Sequence, residues 1–322
     1  MDNYYAYDPM REHERKLKAI AVLRKHGNHV GGATLFFLLA SVAVAFALRF
    51  FNLTDALISD EVFSECFDIM FTIFGIFIPF FIVMLNARKY HNDHSFALEM
   101  PKDKNLARWA IPTGLMLCLI GDKIATVISA IFRNFGIELT SSSTSLPSSG
   151  TAMILYFISV VIVAPLVEEF AMRAVVLQPM RKYGEKFAIV MTAIVFALMH
   201  QNMVQGIFAF IAGLAFGYIC ILTGSAWCSV LIHCLNNFLS VLSLAVSRGS
   251  SSGASVVFYN FVIVAINVLG VIGVIMILKN KDRPKLRKSK MKNIMTGEKL
   301  SAFLLAPPML IAIVLMVINC MF

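Results

Sequence analysis

Two adjacent glutamates, Glu168 and Glu169, stand near the end of an apolar run, and Arg173 follows Glu169 by one helical turn. A carboxylate at membrane depth costs about 2.5–3.5 kcal/mol, so such groups are usually retained for chemistry, ion passage or an internal ion pair. The i,i+4 spacing, with the acid on the N-terminal side, favours a Glu169–Arg173 pair on a helix. Glu168 then lacks this partner, which makes it a candidate general base.

Two histidines and an asparagine add polar groups to other apolar runs. His200 closes a stretch that begins at Phe196, and His233 opens a stretch that ends at Asn237. The members of each pair are four residues apart, so each pair lies on one helix face. The other five histidines lie outside the apolar runs.

These residue types can supply what peptide hydrolysis needs: an activated water, a base and a donor for the oxyanion. Glu168 suits the base, Asn237 can donate to the oxyanion, and His200 and His233 can hold the water. Two histidines and a glutamate are also the ligand set of some catalytic zinc sites. A zinc site formed by His200, His233 and Glu168, and a glutamate mechanism without metal, therefore both stay open.

The composition places these groups in a membrane. Of 322 residues, 58% are hydrophobic and only 15% are charged, which is typical of a polytopic membrane protein. Backbone groups in lipid must be satisfied internally, and long uninterrupted apolar runs favour helices over barrel strands. The sequence predicts an all-α membrane helix bundle.

Apolar runs of about 20 residues predict eight or nine transmembrane helices, and the count by inspection is nine. The runs are 31–51, 69–86, 109–132, 151–178, 186–202, 203–223, 226–247, 256–278 and 302–322. We divide the chain into four parts on this basis. These are a basic N-terminal segment (1–30), N-terminal transmembrane helices (31–132), a core (151–247), and C-terminal transmembrane helices (256–322) with a basic loop at 279–299.

Lysines and arginines cluster before the first run and after the second, fourth and eighth runs. All four clusters fall on one side if the N-terminus is cytoplasmic, as the positive-inside rule requires. Acidic residues between 55 and 65 and the Ser/Thr-rich loop Thr140–Ser149 fall on the other side. The basic loop, in a chain of net charge +9, is expected to face lipid headgroups, and we expect no nucleic-acid partner.

Helix geometry predicts that the polar groups meet. At 1.5 Å per residue, Glu168 lies ~18 Å from the cytoplasmic end of its helix, and His200 lies ~21 Å from the start of the fifth run. His233 lies ~11 Å from the start of the seventh run. We expect the three helices to converge around one cavity, with Asp122 and Lys123 of the third run outside it. A small-xxx-small pair, Gly213 and Gly217, predicts close helix packing.

The three motifs Glu168-Glu169-Phe-Ala-Met-Arg173, Phe196-Ala-Leu-Met-His200 and His233-Cys-Leu-Asn-Asn237 occur in this order. EExxxR, FxxxH and HxxxN in apolar helices resemble the CAAX-protease and bacteriocin-processing (CPBP, Abi) family of intramembrane proteases. The resemblance covers about 151–247, less than a third of the chain.

The resemblance implies an intramembrane endopeptidase acting on a membrane-associated protein or peptide. That substrate would be prenylated in eukaryotic relatives. Glu168, His200, His233 and Asn237 would be catalytic, with Glu169, Arg173 and Phe196 supporting them. The family is commonly labelled as metalloproteases, whereas the motifs also fit a glutamate protease.

Other functions remain open from the sequence. Intramembrane Glu, Arg, His and Asn also join helices by hydrogen bonds. Acids and histidines also form proton relays, so a proton-coupled transporter, with Asp122 and Lys123 as an extra charged step, is one alternative. A non-proteolytic immunity or partner-binding protein is another. We expect an integral protein of a bacterial plasma membrane, and the sequence does not indicate its oligomeric state.

Overall fold

The computed structural model describes residues 9–54, 59–88, 99–139, 145–248 and 253–321, and the described elements are all helical. The helices are α1 Pro9–Phe50, α2 Glu61–Ala87, α3 Lys104–Asn134, α4 Gly150–Tyr183, α5 Glu185–Leu198, α6 Met203–Thr223, α7 Ala226–Arg248, α8 Gly253–Lys279, α9 Thr296–Leu304 and α10 Pro307–Met321. The start of the basic N-terminal segment and residues 140–144 of the Ser/Thr-rich loop lie outside the described residues.

The all-α membrane bundle is confirmed. In the described part of the chain, seven helices are long and apolar enough to cross a membrane, and α9 with α10 makes an eighth if the bent pair is one span. The predicted fifth run instead forms α5, which has 14 residues. At 1.5 Å per residue this helix is ~21 Å long, shorter than the ~30 Å hydrocarbon core.

The last predicted run is also broken, because α9 and α10 meet at 77°. Pro307 and Pro308 begin α10 at this bend. Proline has no backbone N–H to continue a helix and clashes with the preceding turn, so the bend falls where the sequence places the two prolines.

α6 lies at the centre of the bundle and packs against α3, α5 and α7. Its two glycines face α5. A Cβ on Gly213 would lie 3.1 Å from Cα of Ala193, and a Cβ on Gly217 would lie 3.3 Å from Cγ2 of Ile189. The packing role predicted for this glycine pair is confirmed.

α4, the helix of the two glutamates, changes its winding along its length. Two π-helical segments, Ile158–Val163 and Phe170–Leu177, flank the α-helical segment Ala164–Glu169. Pro165 and Pro179 are each the second residue after the end of a π-helical segment. π-Helical turns are rare and often occur at functional sites. Here they rotate the glutamates relative to a continuous α-helix.

One end of the bundle carries a non-helical basic strap, residues 280–295, between α8 and α9. The buried carboxylate of Glu185 accepts from the backbone N–H of Arg287 (2.7 Å) and from Nη2 of Arg181 (2.6 Å). The backbone N–H of Lys290 donates to the carbonyl oxygen of Lys182 (3.0 Å). Burial opposes ionisation of Glu185, but these donors outweigh burial and hold the pKa of Glu185 below its usual range.

Other basic segments reach the same end. Lys16 of α1 pairs with Glu298 of α9 at 2.8 Å, and the Asn280 amide of the strap donates to Asp103, the N-cap of α3, at 3.4 Å. The basic segments therefore gather on one face of the bundle, as the sequence predicted.

The opposite end ties α2, α4 and α7 together. Glu61 at the start of α2 accepts from the backbone N–H groups of Ser148 and Ser149, each at 2.9 Å. Arg248 at the end of α7 donates to the carbonyl oxygens of Leu146 and Pro147, each at 2.9 Å. The segment of α4 that carries the two adjacent glutamates also packs against α2 and α7.

Candidate active site

Glu169 and Arg173 form a fully buried ion pair. Nε of Arg173 donates to Oε2 of Glu169 at 2.7 Å, and Nη2 donates to Oε1 at 3.3 Å. Both side chains have no exposed surface. The predicted i,i+4 pair is therefore present, in the two-pronged geometry that makes guanidinium–carboxylate contacts strong.

α6 completes the surroundings of the guanidinium group. Nη1 of Arg173 donates to the carbonyl oxygen of Gly213 at 3.5 Å, and the guanidinium carbon lies 5.9 Å from the ring centroid of Phe216. The missing side chain of Gly213 lets α6 come close to its neighbours. The buried positive charge thus has a carboxylate, a carbonyl oxygen and an aromatic face as neighbours.

His233 of α7 connects this ion pair to the second glutamate. Its Nδ1 lies 3.3 Å from Oε1 of Glu169. Because an ionised carboxylate only accepts hydrogen bonds, Nδ1 carries the hydrogen and the Nε2 of a neutral ring has a free lone pair. The rings of Phe216 and Phe196 hold the imidazole from two sides, at centroid distances of 5.2 and 5.8 Å.

Glu168 faces the free nitrogen of His233. Oε2 of Glu168 lies 3.8 Å from Nε2 of His233, and the Glu168 side chain is 19% exposed. This distance is too long for a direct hydrogen bond. The two adjacent glutamates therefore have different environments, since Glu169 is saturated by donors and Glu168 keeps an oxygen beside the imidazole.

His200 lies on the other side of Phe196. The two rings meet edge to face, with centroids 4.8 Å apart, and Nδ1 of His200 contacts the Phe196 carbonyl oxygen at 2.8 Å. A carbonyl oxygen only accepts, so Nδ1 of His200 carries a hydrogen. Phe196 therefore contacts both histidine rings and sets the spacing between them.

Asn237 is bonded to the backbone of α4. Its Nδ2 donates to the carbonyl oxygen of Val160 at 2.9 Å, and its Oδ1 accepts from Nδ2 of Asn236 at 3.3 Å. The amide expected to face an oxyanion is thus held against α4, one turn from His233.

The positions of Glu168, His200 and His233 test whether these three residues could bind zinc, as the sequence allowed. Both histidines use Nδ1 on a protein acceptor, which is how metal-ligating histidines are usually oriented. However, among the residues that the structure describes, no group of three His, Cys, Asp or Glu side chains is arranged to hold a metal ion. In this conformation, therefore, Glu168, His200 and His233 do not fit a metal site.

An apolar cleft of about 230 Å³ lies beside the ion pair, between α2, α4 and α7. Its lining includes Glu169, Phe77, Phe170 and Trp227. The cleft shares Glu169 with the cluster, whereas Glu168, His200, His233 and Asn237 are not in its lining.

Asp122 and Lys123 lie apart, in a groove between α3 and α8. They pair with each other at 3.3 Å, outside the described contacts of the polar cluster, as expected.

Sequence reasoning did not identify Phe216 or Val160 as part of the site. Phe216 stands between Gly213 and Gly217, and an aromatic residue beside a small-residue pair was a usable signal. Val160 contributes only its carbonyl oxygen, for which a side-chain pattern carries no signal.

The fold and the cluster define an all-α membrane protein with a polar network of Glu, Arg and His enclosed between its helices. Residues 150–239 match the model of a family described as type II CAAX prenyl endopeptidase Rce1-like. The match covers α4, α5, α6 and most of α7, and it confirms the resemblance predicted from the three motifs. It supports a hydrolase of the CAAX-type intramembrane protease class. No curated protein and no solved structure matches the chain.

Proposed function

We propose that this protein is an intramembrane endopeptidase that hydrolyses a peptide bond of a membrane-associated, prenylated protein or peptide, with Glu168 as the general base. The observation that carries the proposal is the pair of facing acceptors, Oε2 of Glu168 and Nε2 of His233, 3.8 Å apart. They lie beside a buried Glu169–Arg173 pair that fixes the tautomer of His233.

One water molecule fits between these acceptors. A water oxygen ~2.8 Å from both atoms donates one hydrogen to each of them. Glu168 takes a proton as the water oxygen bonds to the peptide carbonyl carbon. Glu168 then returns that proton to the leaving nitrogen as the carbon–nitrogen bond breaks, which leaves a carboxylic acid and an amine.

Glu169 is unsuited to the base role because Arg173 and His233 already donate to its oxygens. It orients His233 instead, and this keeps the Nε2 lone pair directed towards the water. The two adjacent carboxylates thus take different roles because their neighbours differ.

We assign His200 to the oxyanion. Its Nδ1 already donates to the Phe196 carbonyl oxygen, so its Nε2 can donate only when the ring is an imidazolium. A cation that donates a hydrogen bond to the developing negative charge is the arrangement that stabilises a tetrahedral intermediate.

The substrate class rests on the family description and on the apolar cleft beside Glu169. The lining of this cleft suits a hydrocarbon chain, because burying apolar surface is favourable.

The test uses the full chain, purified into lipid nanodiscs, and a synthetic peptide that ends in a CAAX box with a farnesylated cysteine. Mass spectrometry should detect new C-terminal cleavage products, with slower cleavage of the same peptide without the farnesyl group. If folded protein leaves both peptides and the native pool of membrane-associated peptides intact, the proposed activity is wrong.

A further inference from the structure

A proline leaves one carbonyl oxygen of α4 without its backbone donor. In the π-helical segment Ile158–Val163, hydrogen bonds span five residues, and the N–H of Ala164 donates to the carbonyl oxygen of Ser159. The next residue in this pattern is Pro165, which would have to donate to Val160. Proline has no N–H, so the Val160 carbonyl oxygen needs a donor from elsewhere.

Asn237 supplies this donor from α7. Its Nδ2 lies 2.9 Å from the Val160 carbonyl oxygen. Asn236 donates to the amide oxygen of Asn237 at 3.3 Å, which fixes the orientation of the amide. A side chain of α7 thus replaces the backbone hydrogen bond that Pro165 removes from α4.

This contact and the His233–Glu169 contact tie the same two helices together, one helical turn apart on α7. Together, these two hydrogen bonds fix both the rotation of α4 about its axis and its axial position relative to α7. The rotation of α4 in turn decides whether Glu168 faces Nε2 of His233.

We infer that Asn237 is a positioning residue, which substitutes for the donor lost at Pro165 and holds Glu168 in register with His233. The inference deepens the proposed endopeptidase function and rests on it for its effect on rate. The effect of Asn237 on the packing of α4 against α7 does not depend on the proposed function.

The test is a rescue experiment on the full chain in nanodiscs. Asn237→Ala should lower kcat by about tenfold or more, because small displacements of reacting groups have large effects on rate. It should also lower the Tm. Pro165→Ala restores a backbone N–H near the Val160 carbonyl oxygen, so the double variant Pro165→Ala/Asn237→Ala should recover most of the lost Tm and kcat.

Pro112 of α3 provides the matched control, since it also lies inside a transmembrane helix. Pro112→Ala should not rescue Asn237→Ala. If the Pro165 double variant is folded and as slow as Asn237→Ala, then Asn237 acts on the reacting atoms and the inference is wrong.

If Pro165→Ala does not fold, Pro165→Ser supplies the same N–H. If wild-type protein cleaves nothing, the proposed function fails, whereas rescue of the Tm still tests the inference.

A second inference comes from the groove between α3 and α8. Asp122 and Lys123 lie near the middle of α3, yet their side chains are 59% and 79% exposed. The groove has a volume of about 510 Å³, and Asn260 and Asn267 of α8 also line it. Charged side chains at mid-membrane depth are rare on a lipid-facing surface and usually face protein or water.

We propose that a second copy of this chain covers the groove. A C₂ axis along the membrane normal brings the same patch of both copies to one depth. Asp122 then faces Lys123 of the partner subunit, and the reciprocal pair forms across the axis. A patch with one acid and one base at this spacing is complementary to itself.

Charge complementation tests the dimer. Asp122→Lys and Lys123→Asp should each convert the protein in nanodiscs from dimer to monomer. Co-expressed under two different affinity tags, the two variants should copurify, because each supplies the charge that the other lacks. A monomeric wild type, single variants that stay dimeric, or a failure to copurify would contradict the dimer. If either variant does not fold, Asp122→Asn is compared with the wild type instead. The wild type should be a dimer and Asp122→Asn a monomer, and a dimeric Asp122→Asn would contradict the proposal.

Discussion

At the scale of single residues, the site depends on the division of labour between two adjacent carboxylates. Glu169 is saturated by Arg173 and His233, whereas Glu168 is 19% exposed and faces one imidazole nitrogen. Neighbouring positions on a helix point in different directions. Residue identity alone therefore does not distinguish a base from its support, and the partners do.

Glu169→Gln should destabilise the fold more than it alters the chemistry. It leaves the guanidinium of Arg173 buried without a counter-charge, and breaking a buried pair costs about 3–5 kcal/mol. The double variant Glu169→Leu/Arg173→Met should be more stable than Glu169→Gln, because it removes both charges together. Thermal unfolding in detergent measures the stability of both variants. Equal Tm values for wild type and Glu169→Gln would contradict a stabilising role for the Glu169–Arg173 ion pair.

Chelation should leave the activity unchanged. Because no three ligating side chains among the described residues are arranged to hold a metal ion, we expect metal-depleted protein to keep its rate within about twofold. Elemental analysis should find no stoichiometric zinc in active protein. Loss of activity on chelation and recovery on adding zinc would contradict the glutamate mechanism.

At the scale of elements, the close approach of α6 to α5 positions Phe196 and the guanidinium of Arg173. Gly213→Val should destabilise the protein by about 1–3 kcal/mol through overpacking, since even a Cβ there lies 3.1 Å from Cα of Ala193. Gly32→Val is the matched control, because nothing lies within 4 Å of a Cβ at that position. Similar Tm values for the two variants would argue against this packing.

From a constant rise per residue, the sequence predicted that three helices bring Glu168, His200 and His233 together. The structure places Oε2 of Glu168 3.8 Å from Nε2 of His233, and its contacts link His200 to His233 through the ring of Phe196. The convergence of all three stays a prediction. It was insufficient for the contacts of Asn237, which depend on a π-helical register. π- and α-helical turns differ by one residue per turn in their bonding, and side-chain periodicity does not reveal that difference. Helix α5 was predicted too long because the apolar run was extended through the polar residues His200, Gln201 and Asn202. In the structure the helix ends at Leu198, Gln201 has a φ of 50°, and Asn202 is the N-cap of α6.

At the scale of the whole molecule, the basic face is held by a buried acid. Glu185→Ala removes charge-assisted hydrogen bonds worth about 1.5–3 kcal/mol each from the strap of residues 280–295. Trypsin should then cleave within the strap about tenfold faster or more, because cleavage follows the open population. Peptide mapping measures this, with Glu14→Gln on the exposed surface of α1 as the control. Unchanged cleavage would show that Glu185 does not hold the strap.

The same contact gives a pH dependence. The pKa of Glu185 is lowered in the folded protein, so its stabilising effect is complete above its usual value of 4.5 and is lost as the pH falls through the lowered value. The strap should therefore loosen only in acid. Hydrogen exchange of residues 285–290 between pH 7 and pH 3, corrected for the intrinsic exchange rate, should show protection lost at the acid end. Constant protection would contradict this linkage.

The central claim is that Glu168 activates water for peptide hydrolysis. Glu168→Gln keeps the size and hydrogen-bonding capacity of the side chain but cannot take a proton. The most direct measurement is single-turnover cleavage of the farnesylated CAAX peptide by this variant, by wild type and by Glu14→Gln. We predict a loss of about 10²–10⁴-fold for Glu168→Gln, with an unchanged Tm and with Glu14→Gln equal to wild type. Cleavage by folded Glu168→Gln within a few fold of wild type would contradict the claim.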